Sequence, residues 1–220
     1  MFVGHVALGF VGKCLAPRLS LAWLVVCTQL ADILWPLLLL LGVEHARIVP
    51  GITAASPLDL YDYPYSHSAL TLLVFSALCA SPWLLRRELR EAAVVGAAVF
   101  SHFVLDVVSH RPDVPLYPGS ETLLGLGLWN SRWLSVLVEG ALWAGSLAFY
   151  AYRTRPTAGF GRYGLWTLAA LLTAAWLSGV YGPPPPSIHV IAISGLVATL
   201  VFVAWLWLLD ARRPVVGSAP

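Results

Sequence analysis

The stretch IHVIAISGLVATLVFVAWLWLL, residues 188 to 209, carries no acid and no lysine or arginine over a length that matches the ~20 residues a helix needs to cross a bilayer. Five further stretches, 19–42, 66–85, 92–110, 132–151 and 164–181, are also strongly apolar and near that length. In hydrocarbon every backbone N–H and C=O must be satisfied within the chain, so runs like these fold as helices. Composition agrees: 59% of the residues are hydrophobic and only 11% charged. The expectation is an all-α, polytopic integral-membrane bundle of six full spans. One shorter apolar helix at about 2–13 precedes them, too short for a span and therefore lodged against the others. There is no internal repeat, so residues 1–220 read as one transmembrane domain.

The charge balance excludes some partners. A net charge of +2, with basic residues scattered over short loops, lacks the concentrated basic footprint of a nucleic-acid-binding protein. Cys14, Cys27 and Cys79 lie in apolar segments without C-x-x-C spacing and read as small hydrophobes. The N-terminal MFVGHVALGFVGKCLAP has Lys13 and Arg18 after its apolar run, the wrong order for a cleavable signal, and is kept in the fold.

Lysine and arginine recur in every second connection: Lys13 and Arg18, then RRELR at 86–90, then Arg153, Arg155 and Arg162, then Arg212 and Arg213. By the positive-inside rule these connections and the C-terminus are cytoplasmic, and the N-terminus and the alternate loops face outward. Two of those outer loops, about 43–65 and 111–131, are the long ones.

Ionisable residues inside the apolar runs need a partner or a function, since each costs roughly 2.5 to 3.5 kcal/mol even on the lenient insertion scale. His5 is in the short first helix, Asp32 in QLADILWP, His67 in YSHSAL, His102, Asp106 and His110 in SHFVLDVVSH, and Glu139 in WLSVLVEGALW. At ~1.5 Å per helical residue all fall in the outer half of the bundle, from His67 and His110 at the boundary to Asp32 near the midplane. Imidazoles and carboxylates gathered at one depth, with no cysteine among them, are the donor set of zinc, manganese or iron. H-x-x-x-D at His102 and Asp106 sets two donors one helical turn apart. His5, Asp32, His67, His102 and Asp106 are therefore the candidate metal ligands, with zinc the best match, and Glu139 and His110 the candidates for general base or acid. Three residues have a second reading: Glu139 can pair with Arg132 instead, and a lone His5 or His67 suits a helix end. Beyond His110 the chain reads HRPDVP, where Pro112 ends the helix and leaves Arg111 free at the mouth, either to fork a phosphate or carboxylate or to face lipid headgroups.

These motifs, GHVALG around His5, QLADILWP around Asp32, YSHS around His67 and SHFVLDVVSH around His102 and Asp106, resemble those of the YdjM-like (LexA-regulated) membrane-bound metal-dependent hydrolases over roughly residues 1–118. The resemblance implies a metal-dependent hydrolase of a bacterial cytoplasmic membrane. This chain departs from the family pattern in lacking the D-x-D-H of the second segment and the H-R-G before the serine-histidine motif, which implies one ion, or recruitment of Asp62 or Glu139 for a second. A site at headgroup depth suits a membrane lipid or lipid-linked ester or phosphoester. Two other classes share the same residues: an ion- or proton-coupled carrier, and a non-catalytic scaffold with a structural metal.

Overall fold

The structure, a computed structural model, describes residues 1–157 and 159–217. Among them nine α-helices form the bundle: α1 (Val3–Leu15), α2 (Leu21–Thr28), α3 (Leu30–Leu40), α4 (Pro64–His67), α5 (Ala69–Leu85), α6 (Leu89–Ser109), α7 (Arg132–Arg153), α8 (Gly159–Tyr181) and α9 (Ile188–Ala211). Two small antiparallel ribbons, β1 (His45–Ile48) with β2 (Leu58–Asp62) and β3 (Val114–Pro115) with β4 (Leu123–Leu124), decorate the two long loops at one end, here called the looped end. The all-α expectation holds for the bundle, and the ribbons are the part it omitted.

Among the described residues four helices, α6 to α9, are long and apolar enough to cross a membrane. A fifth crossing exists only if α2 and α3 count together, because the chain bends by 57° between them. The expected six full spans reduce at two places. At Gln29 the helix breaks and α3 turns off toward α9. At Ser68 the backbone is extended (φ −73°, ψ 152°), and the hydroxyl accepts a hydrogen bond from the Thr71 N–H, one of the donors a helix start leaves open. The expected 66–85 span is thus a turn, α4, followed by a 17-residue helix. His67 ends the turn rather than opening the span.

The short first helix lies at the centre. It packs on α2, α6 and α7, and Val3, Ala7 and Phe10 are completely buried. A Cβ built on Gly9 would stand 2.5 Å from the Val25 side chain, so only glycine permits this approach of α1 to α2. An apolar cluster from α1, α2, α7, α8 and α9 fills one side, and a second from α2, α5 and α6 the other. The polar residues of α1, α3, α4 and α6 meet between them, toward the looped end.

Candidate metal centre

Asp106, on the last turns of α6, is the hub. Its Oδ1 lies 3.0 Å from His5 Nε2 and 3.5 Å from His110 Nε2, and its Oδ2 3.1 Å from His102 Nε2 and 3.8 Å from His67 Nε2. Asp32 Oδ1 faces the same imidazoles, 3.5 Å from His67 Nε2 and 3.8 Å from His102 Nε2. All except Asp32 are buried, and Asp32 turns its partly exposed carboxylate to a cavity. The five ligands expected from the sequence therefore converge from α1, α3, α4 and α6.

Which nitrogen each ring presents follows from its other partner. His102 Nδ1 is 2.8 Å from the Thr28 carbonyl, which can only accept, so the proton is on Nδ1 and Nε2 keeps its lone pair in the neutral ring. The Thr28 carbonyl closes α2 just before the bend at Gln29, so the break in the helix and the tautomer of His102 are one feature. His67 Nδ1 is 2.7 Å from Ser66 Oγ, and that hydroxyl donates its own proton to Glu44 Oε2, also at 2.7 Å. Ser66 therefore accepts from His67 and frees His67 Nε2. Glu44, itself buried, is fixed by the Tyr65 and Ser66 N–H groups. His110 Nδ1 is held 3.1 Å from Asp113 Oδ1, to which the Tyr63 hydroxyl also donates. Burial first, then the charges of Asp113 and Asp106, holds the Tyr63 phenol well above its usual pKa, so it stays a donor. His5 and His102 stack face to face with ring centroids 3.7 Å apart.

The outcome is four imidazole Nε2 atoms around two carboxylates, with three of the rings committing their Nδ1 protons outward. Lone pairs then face lone pairs, an arrangement that calls for a cation between them. Among the described residues His102 Nε2 has no hydrogen-bond partner despite complete burial, and neither has His5 Nδ1. Donors each about 2 Å from one ion stand roughly 3 to 3.5 Å apart, close to the separations seen. His5, His102 and Asp106 form one group that can hold a metal ion, and Asp32, His67 and His102 another. The Met1 α-amino group already lies among these atoms, 2.9 Å from both His5 Nε2 and Asp106 Oδ1, a positive charge lodged among the donors.

Three other expectations resolve differently. Glu139 is buried, but its Oε1 accepts from the Gly4 N–H at 3.1 Å, and among the described residues no hydrogen bond or ion pair joins it to the ligand group. Its alternative partner Arg132 donates instead to the Ala54 carbonyl. Glu139 thus holds the start of α1 in place, where a carboxylate also suits the positive end of the helix dipole. Arg111 is not free: its guanidinium reaches Asp59 and, at 3.1 Å, Asp113. Asp62 pairs with His45 on the exposed ribbon, away from the cluster. Ser66, Glu44, Asp113 and Tyr63 were not read from the sequence. Ser66 beside His67 and Asp113 three residues after His110 were the only local signals.

Trp129 stacks on His110 with centroids 4.2 Å apart and closes the looped side. On the other side the cluster opens into a cavity of about 380 Å3, which continues between α2, α3, α8 and α9. His5, Asp32, His67, Asp106 and His110 all line it.

No family model, curated protein or solved structure matches the chain.

Proposed function

We propose that the chain is a membrane-embedded, metal-dependent hydrolase acting on a lipid or lipid-linked ester or phosphoester at headgroup depth. The observation that carries this reading is the set of Nε2 lone pairs turned toward two carboxylates, with His67, His102 and His110 each fixed by an outward partner of the kind that orients metal-binding histidines. Motif resemblance to the YdjM-like hydrolases points the same way.

His102, Asp106, His67, Asp32 and His5 would hold the ion, and an all-nitrogen and oxygen donor set with several imidazoles favours zinc over magnesium or calcium. When bound, such an ion polarises an ester or phosphoryl oxygen and brings the pKa of water to about 7. His102 has a single nitrogen to offer, so the two possible groups draw on the same lone pair, which favours one ion. Asp32, the only partly exposed member, faces the space a substrate head would fill. His110 presents Nε2 to that space while Asp113 holds its Nδ1 proton, as suits a group that takes and returns a proton. Arg111, with Asp59 and Asp113, braces the rim. The open cavity beside the ligands distinguishes this reading from a scaffold with a closed coordination shell. By the positive-inside reading the cluster lies at the outer leaflet.

Protein purified in mild detergent and loaded with zinc should retain close to one equivalent after dialysis, whereas Asp106→Asn and His102→Ala should not. Turnover of a fluorescent phospholipid and lipid-phosphate panel should follow the metal. Equal metal content in all three proteins would refute the site, and a fully loaded wild type inert toward the panel would refute the activity.

A further inference from the structure

The cavity has two chemical characters. Its end at the cluster is polar, while the remainder is lined almost wholly by hydrocarbon, with Leu168, Leu172 and Ala175 from α8 on one wall. On α9 the lining residues Ile191, Gly195, Ala198, Phe202 and Leu206 follow the i, i+3, i+4 spacing of a single helical stripe. From Ile191 to Leu206 that stripe runs about 22 Å at 1.5 Å per residue. A stripe of this length turned inward is unusual for α9, of which only 11% of the apolar window is buried, against 33% to 44% in the other three long helices. The helix turns most of its apolar surface away from the protein and keeps this one row for the cavity.

Gln29 and Trp35 also line it, and among the described residues the Trp35 indole N–H and the Gln29 side-chain oxygen are buried without a hydrogen-bond partner. Trp35 is only 8% exposed. Both residues stand next to the polar end, Gln29 at the α2–α3 bend and Trp35 three residues after Asp32. A polar end beside a hydrocarbon wall suits a molecule whose polar group stops there and whose remainder is apolar.

We propose that the cavity binds one alkyl chain of the substrate, with its ester or phosphate head at the His/Asp cluster between Gln29 and Trp35 and its tail between α8 and α9. The inference rests on the hydrolase reading for the identity of the head. At roughly 30 Å3 per methylene, about the share of one liquid water, 380 Å3 accommodates on the order of ten carbons. Gly195 is the residue that keeps the tail's path open. It lines the cavity, and a Cβ built on it meets nothing within 4 Å, so a larger side chain there projects into empty space rather than into a packed neighbour. Leucine also favours the helix over glycine, so Gly195→Leu fills the tail path and leaves the fold and the ligands intact.

The test is direct calorimetric binding of n-alkyl phosphates from butyl to dodecyl to zinc-loaded protein. Gly195→Leu should weaken dodecyl phosphate by about tenfold or more and leave butyl phosphate, which reaches only the polar end, within twofold. Equal loss for both, or for neither, in a variant of unchanged metal content would overturn the proposal. A second measurement needs no variant: dodecyl phosphate bearing a terminal diazirine should crosslink to Leu168, Phe202 or Leu206, whereas labels confined to outward-facing Leu200 and Val201 would refute a bound tail. Both arms read binding. An inert lipid panel with intact chain selectivity would thus remove the hydrolase and keep the channel. Turnover indifferent to chain length, with outward labels, would do the reverse.

Discussion

Ser66 is uncharged and sits behind the ligands, yet it decides which nitrogen of His67 faces Asp32 and Asp106. Its hydroxyl has one proton, and Glu44 takes it, so toward His67 the oxygen can only accept. Ser66→Ala leaves His67 Nδ1–H without a partner and Glu44 Oε2 short of a donor, and the ring becomes free to rotate or change tautomer. Loss of such an outer partner typically costs 10- to 100-fold in metal affinity. That is the expected loss in competition with a zinc chelator, while Asp106→Asn, which removes a charged ligand, should lose more. Unchanged affinity in Ser66→Ala would mean that His67 is not a ligand. Residue identity alone exposed the candidate ligands here, because His102 and Asp106 sit one turn apart on one helix and ionisable groups are rare in apolar runs. It could not expose their outer partners: the acceptor of His102 is a main-chain carbonyl 74 residues away, and carbonyls carry no sequence signature.

At the scale of elements, α1 decides whether the site assembles. It was legible as a helix, and its 13 residues as too few for a full span, but length measured against a bilayer does not reveal that other helices surround it. Gly9 reveals it in the structure, since the backbone of α2 lies where a side chain would be. Gly9→Val should cost about 1 to 3 kcal/mol, the range for overpacking. By displacing α1 it should lower zinc retention together with thermal stability, since His5 travels with the helix. Glu139 tests the same element from its other end. Glu139→Gln keeps an oxygen for the Gly4 N–H, so metal content should be unchanged and turnover should fall by no more than a few-fold. A loss of 10² to 10⁴ with metal retained would restore Glu139 as the general base expected from the sequence. The breaks at Gln29 and Ser68 were harder to see. Gln29 has neither proline nor glycine beside it, and Pro36 lies seven residues on, inside α3. Ser68 did carry a signal, a serine hydroxyl able to cap at Thr71, but the continuous apolar run after it masked the boundary.

For the whole molecule, function depends on which leaflet the cluster meets. The looped end holds Glu44, Asp59, Asp62, Asp113 and Glu121, and its arginines are engaged: Arg47 with Asp59, Arg111 with Asp59 and Asp113, Arg132 with the Ala54 carbonyl. The opposite end carries Arg18, Arg86, Arg87, Arg90, Arg153, Arg155 and Arg162, with Lys13 bound to Asp210 and Arg213 anchored to Thr154 and the Gly161 carbonyl. Charge therefore separates along the bundle axis, and on the positive-inside rule the orientation we propose has the arginine-rich end in the cytoplasm. Cysteine labelling in intact cells checks this. In a background with Cys14, Cys27 and Cys79 replaced by alanine, Glu121→Cys on the exposed loop before β4 should react with a membrane-impermeant maleimide. Arg86→Cys, exposed at the turn between α5 and α6, should react only after the membrane is opened. The reverse pattern would move the cluster to the cytoplasmic leaflet. The proposed lipid substrate would then come from the inner leaflet, although the proposed ligand set and alkyl site would be untouched, because neither depends on the sidedness of the bundle.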